Sequence, residues 1–132
     1  MPGIMVHIGR PSLWIADSDP GVSFAVQLLA QQSGFAETRI FACKQKALTS
    51  LQTAITKPTL LVTDYLSGQM RGDEFIRSAR HASPITKLIL FSAVAGNTEG
   101  WIDVAGINAP RPDAIFEKPS ARQLMTGLCQ MK

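Results

Sequence analysis

The sequence predicts an α/β domain: a parallel sheet covered by helices on both faces. Three observations predict it. The runs Leu13–Ala16, Leu60–Thr63 and Leu88–Phe91 are continuously apolar or nearly so, without the alternation of a half-exposed strand, and read as strands buried on both faces. Between them lie stretches with apolar residues at helical spacing. Each of the three runs also ends in a polar residue, Asp17, Asp64 or Ser92. In a parallel sheet those ends share one edge, the edge where open α/β sheets place their ligands.

The elements follow in order. Residues 1–11 contain Pro2, Gly3, Gly9 and Pro11 without periodicity and are expected to be a poorly ordered extension. Leu13–Ala16 is the first strand. Asp19 then Pro20 form a helix start, a capping acid followed by proline at the first helical position. Val22, Ala25, Val26 and Leu29 give that helix its apolar stripe, and Gly34 closes it. Thr38–Ala42 is a more mixed strand, nearer an edge. Ala47, Leu48, Leu51, Ala54 and Ile55 form the stripe of the second helix, which Pro58 ends.

The third strand carries Asp64. The third helix is expected from about Gly72–Asp73, burying Phe75, Ile76 and Ala79 and stopping before Pro84. Leu88–Phe91 is the fourth strand. Ala114–Phe116 is a short fifth strand near Lys118–Pro119. Ser120 and Gln123 have capping-box spacing, and Leu124, Leu128 and Met131 give the last helix its apolar face. The stretch 93–117 is punctuated by Gly96, Gly100, Gly106, Pro110 and Pro112, so the fourth helix is expected to be short, about one and a half turns around Trp101, Ile102 and Ala105. The pattern is (βα)₅, and the flavodoxin-like doubly wound strand order 2-1-3-4-5 suits its length.

Composition narrows the function. The chain has 132 residues, 45% hydrophobic and 17% charged, as expected of one globular domain rather than a disordered chain. No apolar run approaches the roughly 20 residues that span a bilayer, and Met1–Arg10 lacks a signal-peptide core. Cys43 and Cys129 are far apart, which argues against a disulfide scaffold or zinc site and fits the reducing cytoplasm. The net charge of +3 comes from scattered Lys and Arg, with no groove-reading motif, so a nucleic-acid surface is not expected. His7 and His81 are isolated and are assigned no role; Trp14 and Trp101 are expected in packing.

The polar strand ends converge. Asp17 and Asp19 follow strand one, Asp64 ends strand three, Ser92 strand four, and Lys118 follows strand five. Clustered carboxylates repel, and a hard divalent cation such as Mg2+ is the usual remedy. A carboxylate can attack phosphorus to give an acyl phosphate, while a cation, a lysine and a hydroxyl neutralise the transferring group. The chemistry suggested is phosphoryl transfer to Asp64.

Ala16-Asp17-Ser18-Asp19-Pro20, the Asp64 strand with Gly72 eight residues on, Phe91-Ser92-Ala93 and Lys118-Pro119 together resemble the receiver domain of bacterial two-component response regulators, over about residues 12–131. The resemblance implies a CheY-like receiver domain at 12–132, a signalling domain that catalyses at most its own phosphorylation and dephosphorylation. Asp64 would be the phosphoacceptor, served by a sensor histidine kinase or phosphotransfer protein in a phosphorelay, with a downstream protein reading the result. Asp17, Asp64 and the backbone carbonyl of Leu66 would hold Mg2+, with Asp19 a further candidate. Ser92 would be the switch hydroxyl, and Lys118 would contact the phosphoryl group across a Lys–Pro bond that is commonly cis in that family.

The chain departs from the family pattern in three places. Ser18 stands where a second, metal-binding acid is usual, which predicts weakened Mg2+ affinity. Ser67-Gly68 replaces Met-Pro, and Ile115 replaces the switch aromatic. These favour an alternative, a phosphorylation-independent pseudo-receiver acting as an interaction module. With Ile115 and a short fourth helix, output is expected through another surface, or through ordering of residues 93–113 on phosphorylation. Asp17-Ser18-Asp19 also resembles the nucleophile motif of haloacid-dehalogenase phosphatases, but no acid follows Lys118 and the chain is short for that fold. A flavodoxin would need a Ser/Thr/Gly-rich phosphate loop after strand one, which is absent.

Overall fold

A computed structural model describes residues 11–65, 70–93 and 96–131. The described residues form five strands and five helices in strict alternation: β1 (Ser12–Ala16), α1 (Pro20–Gln32), β2 (Glu37–Phe41), α2 (Lys44–Thr53), β3 (Leu60–Thr63), α3 (Gly72–Ala82), β4 (Lys87–Ser92), α4 (Thr98–Ala105), β5 (Ala114–Glu117) and α5 (Ala121–Met131). All strand pairs are parallel, in the order β2-β1-β3-β4-β5. This is the flavodoxin-like arrangement the sequence predicts. The order reverses at β1, which pairs with β2 on one side and β3 on the other, so a crevice opens between the C-terminal ends of β1 and β3.

Successive strand residues point to opposite faces, and both faces are buried. Trp14, Ala16, Leu61, Leu88 and Leu90 face α2, α3 and α4, packing with Leu48, Leu51, Phe75, Ile76 and Trp101. Leu13, Ile15, Leu60, Val62, Ile89 and Phe91 face α1 and α5, packing with Val26, Ala30, Leu124 and Leu128. Each such large side chain contributes about 1.5–3 kcal/mol by leaving water. The mixed composition of β2 fits its place at an edge, where the Arg39 guanidinium lies 4.8 Å from the ring centroids of both Trp14 and Phe41.

Three expectations about helix faces change. In α1 the buried positions are Ser23, Val26 and Ala30, while Ala25 is exposed. Val22 and Leu29 are half-buried and line a groove toward Pro119 and Ala121. The helix has turned its stripe partly toward α5. In α2 the helix ends at Thr53, and Ile55 is fully exposed beyond it. Helix α4 is eight residues long, because the Asn97 side chain accepts the Gly100 N–H (2.8 Å) and starts it a turn before Trp101. Gly106, at φ 98°, stops it. Of the expected extension only Pro11 lies within the described residues, and its carbonyl accepts the Ala36 N–H (3.0 Å). No helix among the described residues is long and apolar enough to cross a membrane.

Candidate functional site

The crevice at the end of β1 and β3 holds the two carboxylates. Asp17 is tied down by its backbone: its N–H donates to the Phe41 carbonyl (3.2 Å) and its carbonyl accepts the Ser23 hydroxyl (3.2 Å). Its side chain is buried and both oxygens are engaged. Oδ1 accepts the Asp19 N–H (2.9 Å), and Oδ2 pairs with Lys118 Nζ (2.9 Å). Asp64 follows Thr63, the last residue of β3, whose hydroxyl donates to the Ala16 carbonyl (3.1 Å) and so holds the strand ends in register.

Lys118 arrives from the other end of the chain. Its N–H donates to the Ser92 carbonyl (3.2 Å), and the Lys118–Pro119 bond is cis. Its ammonium lies 3.7 Å from Asp64 Oδ2 as well as 2.9 Å from Asp17. Ser92 ends β4 in the neighbouring position and is buried. Asp17, Asp64 and Lys118 therefore meet at one point, with Ser92 on the adjoining strand.

The sequence reading missed one member. Lys44 is the first residue of α2, and its ammonium reaches Asp64 Oδ1 at 2.8 Å. Its side chain is 1% exposed, against 11% for Asp64. The rim argument that collected Asp17, Asp64 and Lys118 applies equally to Lys44, which follows the end of β2. A second signal was its position. A lysine in the first turn opposes the helix dipole, and no acid in that turn offsets it.

Asp19 acts as the cap of α1, its Oδ1 accepting the N–H groups of Gly21 (2.9 Å) and Val22 (3.3 Å). It is the Asp19 backbone that meets Asp17. Ser18 is exposed. Leu66, Ser67 and Gly68 lie outside the described residues. Among the described residues no cluster of three metal-ligating side chains forms. The two carboxylates that would hold Mg2+ face two ammonium groups instead, at 2.8 and 2.9 Å. The side chains present do not fit a divalent cation without displacing Lys44 or Lys118.

Gly72, the glycine eight residues past Asp64, has a steric reason. The chain folds back so that its N–H meets the Tyr65 carbonyl (2.8 Å), and a Cβ there would lie 2.9 Å from the Tyr65 ring and 3.3 Å from the Asp64 carbonyl. Tyr65 is itself buried. Its ring packs edge-on against Trp101, and its hydroxyl lies 3.2 Å from Asp73 Oδ1 and 3.1 Å from the Val104 carbonyl. Burial first, and then the Asp73 carboxylate, push the Tyr65 phenol above its ordinary value.

No family model and no curated protein matches the sequence. Solved structures do match. A CheY-like response regulator receiver domain protein from Methanospirillum hungatei superposes with a TM-score of 0.74 at 22% identity, over 92% of this chain and 93% of that one. A response regulator receiver protein from Sinorhizobium medicae gives 0.74 at 24% identity, over 94% and 95%. The fold is that of a response regulator receiver domain. The DrrB receiver domain, solved in a BeF3-activated form, gives 0.74 at 20% identity, over 92% and 97%. Within a receiver fold, Asp17, Asp64, Ser92 and Lys118 stand at the strand ends the sequence motifs assign to them, and Lys44 joins them from the start of α2.

Proposed function

We propose that the chain is a receiver module of a two-component phosphorelay, with Asp64 as its phosphoacceptor. The observation that carries this is the convergence of Asp17, Asp64 and Lys118 in one crevice, from positions up to 101 residues apart. A structural core has no need of two carboxylates and an ammonium at a switch point, whereas a phosphoryl acceptor does.

The donor is a phosphohistidine on a sensor kinase or phosphotransfer protein, which places the domain in the cytoplasm. A lone pair of an Asp64 carboxylate oxygen attacks phosphorus. The P–N bond breaks, its electron pair returns to the imidazole nitrogen, and an acyl phosphate forms. Lys118, 3.7 Å from Asp64 Oδ2, pairs with the oxygens of the arriving group, and the Ser92 hydroxyl binds one of them. The groove lined by Val22, Leu29, Pro119 and Ala121 lies beside the site and gives the donor protein an apolar surface. Of the glutamines on α1, Gln27 donates to the Thr38 hydroxyl (2.9 Å), leaving Gln31 and Gln32 as its exposed polar contacts.

The test is incubation with phosphoramidate or acetyl phosphate, followed by intact mass, with Asp64→Asn alongside. One phosphoryl adduct on wild type and none on the variant supports the reading. A second reading, a phosphorylation-independent interaction module, is favoured by the direct pairing of Asp64 with Lys44. No adduct from either donor, even in excess Mg2+, would count against phosphorylation and for that reading.

A further inference from the structure

We propose that the Lys44 ammonium is a resident cation that serves in place of a divalent metal, so that Asp64 accepts a phosphoryl group without one. This rests on Asp64 being the phosphoacceptor. Four observations support it. Lys44 Nζ sits 2.8 Å from Asp64 Oδ1 with its side chain 1% exposed, so it is built into the site rather than resting on the surface. It occupies the first turn of α2 against the helix dipole, a placement that costs helix stability and is offset by the charge it meets. The charge of the crevice already balances, with Asp17 and Asp64 against Lys44 and Lys118. Among the described residues, the side chains beside Asp17 that could add a metal ligand are otherwise occupied or exposed: Asp19 caps α1, and Ser18 is exposed.

The transfer balances without a metal. The Asp64 oxygen attacks phosphorus, the bond from phosphorus to the donor's nitrogen breaks, and the electron pair leaves with the donor. Asp64 gives up its negative charge on becoming a mixed anhydride, the acyl phosphate, and the phosphoryl group brings two, so the crevice gains one negative charge for the two ammonium groups to offset. Lys44 and Lys118, both remaining protonated, turn their N–H donors from the carboxylate to the phosphoryl oxygens. Two fixed ammonium groups in a largely buried site supply the charge stabilisation that a metal provides elsewhere.

The experiment compares wild type, Lys44→Met and Asp64→Asn with phosphoramidate as donor, in EDTA and in excess Mg2+, read by intact mass over time. Isothermal titration of Mg2+ is run on the same proteins, and circular dichroism establishes that each is folded. Lys44→Gln stands in should the Met variant fail to fold. Wild type is expected to form its adduct at the same rate in EDTA and in Mg2+, and to show no Mg2+ binding heat. Removing Lys44 is expected to slow the reaction in EDTA by about 10²-fold or more, the usual cost of one lost charge-stabilising donor. It is also expected to create a Mg2+ site, with Mg2+ restoring part of the rate. A wild-type adduct that forms only with Mg2+, or a Lys44 variant as fast as wild type in EDTA, overturns the proposal and leaves Asp64 the phosphoacceptor. No adduct on any protein under either condition overturns both.

Discussion

Lys44→Met should weaken the fold by about 2–4 kcal/mol at pH 7, and the bound comes from the site's own geometry. Methionine keeps most of the stem's volume, so little packing is lost. What is lost is the ammonium 2.8 Å from Asp64 Oδ1. Breaking a buried ion pair by removing one partner usually costs about 3–5 kcal/mol, because a charge is left behind without water. Here two escapes limit the cost. Lys118 Nζ, already 3.7 Å from Oδ2, can move closer. The Asp64 carboxylate, having lost this one partner, can also take up a proton, which at pH 7 costs a group of ordinary acidity about 4 kcal/mol. At about 2.1 cal/mol/K of unfolding entropy per residue over 132 residues, a loss of 3 kcal/mol lowers Tm by about 11 °C.

The double variant Lys44→Met/Asp64→Leu should recover to within about 1 kcal/mol of wild type, since it leaves neither charge behind. Urea unfolding followed by circular dichroism measures all of these. A Lys44→Met protein within about 0.5 kcal/mol of wild type at pH 7 would refute the view that Lys44 is a buried counter-charge, because surface pairs are worth that little.

Three further outcomes follow from the geometry. Asp19→Ala should cost about 1 kcal/mol through its lost cap on α1 and leave phosphorylation by a small donor intact; loss of the adduct would show that the Asp19 carboxylate serves the site. Gly127→Val should cost about 1–3 kcal/mol or more, because a Cβ at 127 would run into the Phe116 ring; unchanged thermal unfolding would mean that α5 is not held against β5. Above pH 10 the unfolded Tyr65 phenol loses its proton before the folded one does, so stability should fall as pH rises there. Tyr65→Phe should remove that part of the fall, as alkaline unfolding curves of the two proteins would show.

The fold was legible because the strands that matter most are buried on both faces. Leu60–Thr63 and Leu88–Phe91 are almost uninterrupted apolar runs, and both emerge as inner strands. Helix faces were less legible where two packing directions compete. The periodicity puts the α1 stripe at Val22, Ala25, Val26 and Leu29, but the helix packs against both the sheet and α5, which moves the buried line to Ser23, Val26 and Ala30. Helix α4 is longer than its sequence predicts because the glycines around it read as breakers. Gly100 lies in the first turn, where its N–H serves the Asn97 cap, and Gly96 passes so close to Glu117 that a Cβ would lie 2.7 Å from it. Those glycines answer to close approach and capping as much as to flexibility.

The site divides along the same line. Asp17, Asp64, Ser92 and Lys118 end or follow strands, and topology alone puts strand ends together. Lys44 escapes because it precedes the apolar stripe of its helix, which begins at Ala47. A side chain's reach is not visible in a periodicity. What decides where Lys44 goes is electrostatics. A lysine in the first turn of a helix is repelled by the N-terminal end of the dipole, and its stem is long enough to lay the charge elsewhere. The nearest anionic destination on that rim is the crevice containing Asp64, 20 residues on in sequence and at the end of the second strand over. The same placement bears on the two carboxylates of the crevice: one ammonium 2.8 Å from Asp64 Oδ1 and another 2.9 Å from Asp17 Oδ2 offset the repulsion between them, which a metal would otherwise be needed to relieve.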